Sequence, residues 1–294
     1  MEFYICSMVN IGLIGEIELL EPYAKKIHDH SEIHLSGKSS VGTFNNSENF
    51  RFSIPEFNRV ELIERSDALV INKFSLLPFQ MLRDIVKKSK HIFVAEYPNI
   101  SIEECRELVK LADEAQTVVQ VTNPLYFVPV IQWLNSNLKK PAFIDISYFK
   151  TDFAEMEPLL QLLFMLKDIS GTEPKKVNAI SFNQTAGDFE FINARLEFGA
   201  ATAENIKFGK SNTEEYKIRI WASRQVHVFN MLAHNYKCNN SSPNLTRFRG
   251  IHEFDKFVES ITQKIQPPSS LNEYLSVIQT IERIRSRLDQ FSVS

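Results

Sequence analysis

The stretch His91-Ile92-Phe93-Val94-Ala95-Glu96-Tyr97-Pro98, with the helix that follows, constrains the fold of this chain most. Ile92 to Ala95 is a short apolar run, the pattern of a strand buried on both faces of a parallel sheet. Pro98 has no N–H to give to a ladder, so pairing stops there. Ser101 with Glu104 three residues on forms a capping-box pair that starts a helix. Cys105, Leu108, Val109 and Ala112 then fall at i, i+3, i+4 and i+7, one apolar face. Val118 to Val121 is the next strand. Such a βαβ unit puts Glu96-Tyr97-Pro98 at the carboxyl end of a strand, where open α/β sheets bind ligands.

The same alternation runs through the first half. Strands are expected at Val9–Ile14, Ile33–Ser36 and Ala68–Asn72, and helices at Glu16–Ile27, Val60–Arg65 and Phe79–Lys88. Gly37-Lys38-Ser39-Ser40 and Thr43 to Glu48 are expected as loops. Tyr126 to Leu138 is expected as a helix after Pro124. Near residue 140 the pattern changes. A strand at Ala142–Phe149 and an apolar helix at Glu157–Lys167 precede strands at Val177–Asn183, Phe189–Phe198, Ala203–Phe208, Tyr216–Ala222 and Val226–His234. Strands joined by short turns predict a largely antiparallel sheet. Helices at His252–Lys264 and from a Ser270/Glu273 cap onward close the chain. The fold class is α/β, with a parallel-sheet domain over residues 1–123 and an α+β domain over 124–294.

Composition narrows the function. A net charge of −3 over 294 residues argues against a general nucleic-acid or membrane surface. No run approaches the ~18 apolar residues of a membrane span. Three scattered cysteines fit free thiols in a reducing compartment, so the expected location is cytoplasmic. Phe3 to Gly15 lacks a basic start and a cleavage site, and residues 1–7 read as an extension before the first strand. His28-Asp29-His30 with Glu32 and His34 matches no established zinc spacing, and no metal is expected. His227 and His234 lie seven apart on one expected strand, on opposite faces.

Ala68 to Asn123, with its strand, helix, strand, E-x-P turn and capped helix, resembles the Gfo/Idh/MocA family, glucose-fructose oxidoreductase and inositol dehydrogenase among its members. Phe254 to Leu288 is similar to that family's closing helix pair. Glu96-Tyr97-Pro98 is closer to the biliverdin reductase branch, which carries E-Y-P where most relatives carry E-K-P. The resemblance implies a Rossmann-like dinucleotide-binding domain followed by an open-faced sheet domain. It also implies NAD(P) as cofactor and a small-molecule ligand in the cleft between the domains. Gly15, Lys38, Ser39, Asn72, Lys73, Glu96 and Tyr97 are the implied cofactor residues. Lys38 and Ser39 suit a 2′-phosphate and so slightly favour NADP.

The sequence departs from that pattern where the chemistry lies. The G-x-G-x-x-G fingerprint needs glycines for a tight turn, close approach of the backbone to pyrophosphate, and helix packing. Here it is Gly15-Glu16-Ile17-Glu18-Leu19-Leu20, and only Gly15 remains. Glu16 and Glu18 put negative charge at a helix start, good for the dipole but repulsive to an anion. The family lysine is Tyr97. The D-x-x-x-H of the apolar helix falls on Glu157 and Gln161, and glutamine exchanges no proton near neutrality.

Two functions follow. The first is an NAD(P)-dependent oxidoreductase with a degenerate cofactor loop, working through Tyr97, Glu96, Glu157 and Gln161. The second is a protein of this shape without redox catalysis, a binding module or scaffold. The family also implies a homodimer or higher oligomer built on the second-domain sheet through Phe189, Phe191, Ile218, Ile220 and Trp221.

Overall fold

The computed structural model describes residues 8–41, 53–138, 141–151, 157–182, 191–199, 202–239 and 241–291. The expected extension at 1–7, the loop at Thr43–Glu48 and Phe189 lie outside them. By its contacts the chain forms two compact units: one runs to Thr122 and includes His252–Leu275, and the other holds Asn123–Ile251 and the residues from Ser276 on.

The first unit carries strands β1 (Val9–Glu16), β2 (Ile33–Val41), β3 (Ala68–Ile71), β4 (His91–Val94) and β5 (Val119–Val121). All pair in parallel, in the order β2-β1-β3-β4-β5. Helices α1 (Ile17–His28), α2 (Arg59–Arg65), α3 (Phe79–Lys87) and α4 (Ile102–Ala115) make the crossovers. The capping box is formed in full: Ser101 Oγ accepts from the Glu104 N–H, and Glu104 accepts from the Ser101 N–H. Helix α7 (Glu253–Gln263) belongs to this unit and not, as its place in the sequence suggested, to the second. Its Phe254, Phe257, Val258 and Ile261 complete the core formed by Ile11, Leu13, Leu20, Val70 and Phe93, with ring contacts from Phe93 to Phe254 and Phe257. Burying those side chains is worth roughly 1.5–3 kcal/mol each, which is why the chain returns.

The second unit is a seven-stranded sheet with β6 (Phe143–Lys150), β7 (Lys176–Phe182), β8 (Phe191–Phe198), β9 (Thr202–Lys210), β10 (Glu215–Ala222), β11 (Gln225–Asn230) and β12 (Asn235–Cys238). Its order is β12-β11-β10-β6-β9-β8-β7, antiparallel except for β6 with β9. Helices α5 (Pro129–Asn137) and α6 (Glu157–Ser170) lie on one face, shown by Trp133 against Phe229 and by Ser170 Oγ donating to Glu204 at 2.6 Å. Helix α8 (Leu271–Phe291) follows at the end of the chain.

Several local expectations change. The helix expected from Tyr126 is a 3-10 turn, Pro124–Phe127, then α5, because Pro129 cannot continue a helix but can start one. The strand expected at Val226–His234 is a hairpin turned at residues 231–234, with His234 in a left-handed conformation. His227 is buried and His234 sits in that turn, so they do not share one strand. Ile218 and Ile220 are fully buried on the helix-covered face, so they do not belong to the open face of the sheet. Phe191 and Trp221 do.

Candidate functional site

The strand order places the topological switch of the first sheet between β1 and β3, where such sheets bind ligands. β1 ends at Gly15-Glu16 and β3 is followed by Asn72-Lys73, so the two meet at that point. Gly15 has φ +151°, and a Cβ built on it would lie 1.7 Å from Asn72 Oδ1. The glycine is therefore required by the asparagine packed on it. Asn72 is itself buried and brackets the Glu16 peptide. Its Oδ1 accepts from the Glu16 N–H at 2.9 Å, and its Nδ2 donates to the Glu16 carbonyl at 3.0 Å. Glu16 is the residue that precedes α1, and its carboxylate forms an ion pair with Lys73.

Glu96, at the end of β4, joins this group. It accepts from the Phe74 N–H at 2.5 Å. Burial raises its pKa, and the Phe74 bond and Lys73 oppose that rise only in part, while Glu16 adds to it. Lys73 is held protonated well into the alkaline range by its bond to Glu16, with Glu96 also favouring its charge. Tyr97 follows, half-buried. The turn after it is fixed by Tyr274 of α8, whose hydroxyl donates to the Pro98 carbonyl at 2.6 Å. So Gly15, Glu16, Asn72, Lys73 and Glu96 form one cluster of two carboxylates, one ammonium and one amide at the carboxyl ends of β1, β3 and β4.

Lys38 and Ser39 are placed differently from the sequence reading. They are in β2, not in a loop, and both are buried. Lys38 pairs with Glu56, and its ammonium also donates to Ser40 Oγ at 3.2 Å. The backbone of Lys38 bonds to Pro55 and Phe57. An ammonium already neutralised and buried is not offered to a 2′-phosphate, which removes the ground for favouring NADP. Glu157 and Gln161 belong to the second unit, on the first turns of α6, where Gln161 Nε2 donates to Glu157 Oε1 at 3.3 Å. Among the described residues no cluster of three or more metal-ligating side chains occurs. A cavity of about 660 Å³ lies at the opposite, amino ends of β4 and β5, lined by His91 and Val119.

Sequence reasoning missed two contacts here. Asn72, a cofactor residue by the family resemblance, has its side chain bonded to the backbone of β1. Tyr274 gave no signal, because its partner Pro98 is 176 residues away.

No family model and no curated sequence matches the chain. Solved structures do. UDP-N-acetylglucosamine 3-dehydrogenase GnnA from Acidithiobacillus ferrooxidans matches with TM-score 0.77 and 16% identity, over 97% of this chain and 99% of its own. The fold is that of the Gfo/Idh/MocA-type dehydrogenases. The WlbA dehydrogenase from Chromobacterium violaceum, solved with NADH and UDP-GlcNAcA, matches this fold with TM-score 0.76 and 12% identity, over 96% of this chain and 94% of its own. The biliverdin reductase of Synechocystis sp. PCC 6803, solved with biliverdin and NADP+, matches with TM-score 0.72 and 15% identity, over 96% of this chain and 99% of its own. Among the described residues no helix is long and apolar enough to cross a membrane.

Proposed function

We propose that this chain is a divergent NAD(P)-linked oxidoreductase of the Gfo/Idh/MocA type, acting on a small molecule, with a weakened dinucleotide site. The observation that carries the reading is the full-length match to dehydrogenases and reductases solved with NADH or NADP+. The residues present fit only part of such a cofactor. Glu96, with Tyr97 beside it, suits the hydroxyls of a ribose at the ends of β3 and β4. The start of α1 does not suit a pyrophosphate. The Glu16 N–H is already bonded to Asn72, the Glu16 carboxylate stands where an anion would lie, and Ile17 and the fully buried Leu20 replace the two glycines.

One observation favours the second reading, a binding or scaffold protein. The Glu16–Lys73 pair supplies the site with its own anion, so an external one is redundant. Two like charges at 4 Å repel by ~1 kcal/mol in water and by more where partly buried. Calorimetric titration of the natural chain with NADH and NADPH separates the readings. The expected constant lies above roughly 100 μM, about −5.5 kcal/mol, with no preference for NADPH. No heat at millimolar cofactor would favour the scaffold reading.

A further inference from the structure

We propose that Tyr274, near the start of α8, is a positioning residue that fixes where the Glu96 carboxylate and the Tyr97 ring stand. This deepens the reading of Glu96 and Tyr97 as ribose contacts and rests on it. Backbone pairing of β4 with β3 continues as far as Ala95, whose N–H donates to the Ile71 carbonyl at 2.8 Å. The capped helix α4 takes over at Ser101. Between them Glu96 to Ile100 lie outside helix and strand, so side-chain contacts hold them. One is made by Glu96 itself, which accepts from the Phe74 N–H at 2.5 Å. The other is made by Tyr274, whose hydroxyl donates to the Pro98 carbonyl at 2.6 Å. Proline has no N–H, so that carbonyl is the only backbone polar group Pro98 offers. Tyr97 stands between the two clamps.

The donor is held in place independently of the turn it clamps. Ser269, just before α8, is tied to the edge strand β5: the Val121 N–H donates to its carbonyl at 2.9 Å, and its Oγ donates to the Val121 carbonyl at 2.5 Å. Ser270 and Glu273 form a second capping box, the Ser270 N–H donating to Glu273 Oε2 at 2.9 Å and the Glu273 N–H to Ser270 Oγ at 3.3 Å. The Cys105 thiol of α4 meets the Leu271 carbonyl at 4.0 Å. Tyr274 is itself buried, and burial raises its pKa, so the hydroxyl stays protonated and remains a donor. Beyond Leu275 the same helix continues in the second unit, so the turn is tied to a helix that both units share. Binding groups must be held to about 0.5 Å by supporting hydrogen bonds to be effective. Loss of the hydroxyl frees Pro98 to move about the Glu96 and Tyr97 backbone, while a phenylalanine ring keeps the core filled.

The test compares Tyr274→Phe with Ser260→Ala, which removes another buried hydroxyl of the same unit, one bonded within α7 to the Lys256 carbonyl at 2.7 Å. Native-state hydrogen exchange reads the Phe74 amide, bonded to Glu96, against the Glu16 amide, bonded to Asn72. In Tyr274→Phe the Phe74 amide should exchange about five- to tenfold faster relative to Glu16, as loss of one neutral hydrogen bond predicts. In Ser260→Ala the ratio should stay as it is in the natural chain, because a general loss of stability moves both amides together. NADH affinity by calorimetry should fall at least about threefold in Tyr274→Phe and hold in Ser260→Ala. An exchange ratio that is unchanged in Tyr274→Phe, or that rises equally in the control, overturns the proposal. So does an undiminished NADH affinity in a variant whose Phe74 exchange has quickened. If the natural chain itself gives no heat with NADH, the ribose reading of Glu96 fails, and the exchange ratio alone decides whether Tyr274 sets the turn.

Discussion

Glu204 is a carboxyl group in the wrong place for a charge, and that makes stability depend on pH in a definite direction. It lies on β9 facing the helices, with none of its surface exposed. Its one hydrogen bond comes from Ser170 Oγ at 2.6 Å, and Oε2 has no partner. Ser170 is the last residue of α6, so the nearby helix end contributes negative potential as well. Burial drives the pKa well above the ordinary 4.5, and the Ser170 bond offsets only part of the rise. The folded chain therefore keeps a proton that the unfolded chain releases. Between the two pKa values the folded state binds more protons, so stability is complete below the unfolded value and falls as pH rises toward the folded one. The slope is about 1.4 kcal/mol per pH unit. Glu204→Gln removes the titration and keeps the acceptor for Ser170. Urea unfolding of both proteins from pH 5 to pH 8 measures the difference. The variant should gain on the natural chain as pH rises above the unfolded value, at up to that slope until the folded pKa is reached, whatever constant offset the amide introduces. Parallel stability curves would refute the argument, because they would mean that Glu204 ionises as easily inside the fold as outside it.

Other outcomes follow from single contacts. Gly15→Ala should cost about 1–3 kcal/mol from its backbone strain alone, and the cost should shrink in an Asn72→Ala background, where the overlapping Oδ1 is gone; a double-mutant cycle by chemical denaturation reads this. Ser101→Ala should lose about 1 kcal/mol with the cap of α4, seen as a lower denaturation midpoint at unchanged slope. Burial pushes the Cys105 thiol up to about 12, so at pH 8 mass spectrometry should find it unlabelled by a thiol reagent until the chain is unfolded.

The parts of the fold legible in the sequence were those where local and tertiary preferences agree. The run Ile92 to Ala95, the Ser101 cap and the spacing of Cys105, Leu108 and Ala112 each point to one structure, and β4 and α4 form there. The misreadings fell where a distant contact decided the outcome. Gly37-Lys38-Ser39-Ser40 has the composition of a loop, yet it is strand because β1 pairs along it and Glu56 neutralises Lys38. Alternation in Tyr216–Ala222 showed that two faces exist, but it did not show which one α5 and α6 cover, so Ile218 and Ile220 were placed on the wrong side. In the candidate site, the family resemblance named Gly15, Asn72, Lys73 and Glu96 as cofactor residues, and the strand order brings them together. The sequence did not show that Asn72 and Lys73 would be occupied by Glu16, since that depends on side-chain geometry across two strands.

On the proposed reading, the start of α1 is closed to pyrophosphate by its own residues. Leu20 is core and its loss would leave a cavity, so the informative variant changes only Glu16→Gln and Ile17→Gly. The first releases Lys73 from its ion pair, and the second clears the approach to the helix N-terminus. The measurement is the ratio of NADH affinities of variant and natural chain by calorimetry, with urea unfolding run alongside. Tighter binding by the variant, by about tenfold or more, is the predicted result, since removing the carboxylate relieves repulsion of order 1 kcal/mol or more. Low-micromolar binding by the natural chain, or no gain in a folded variant, would contradict it.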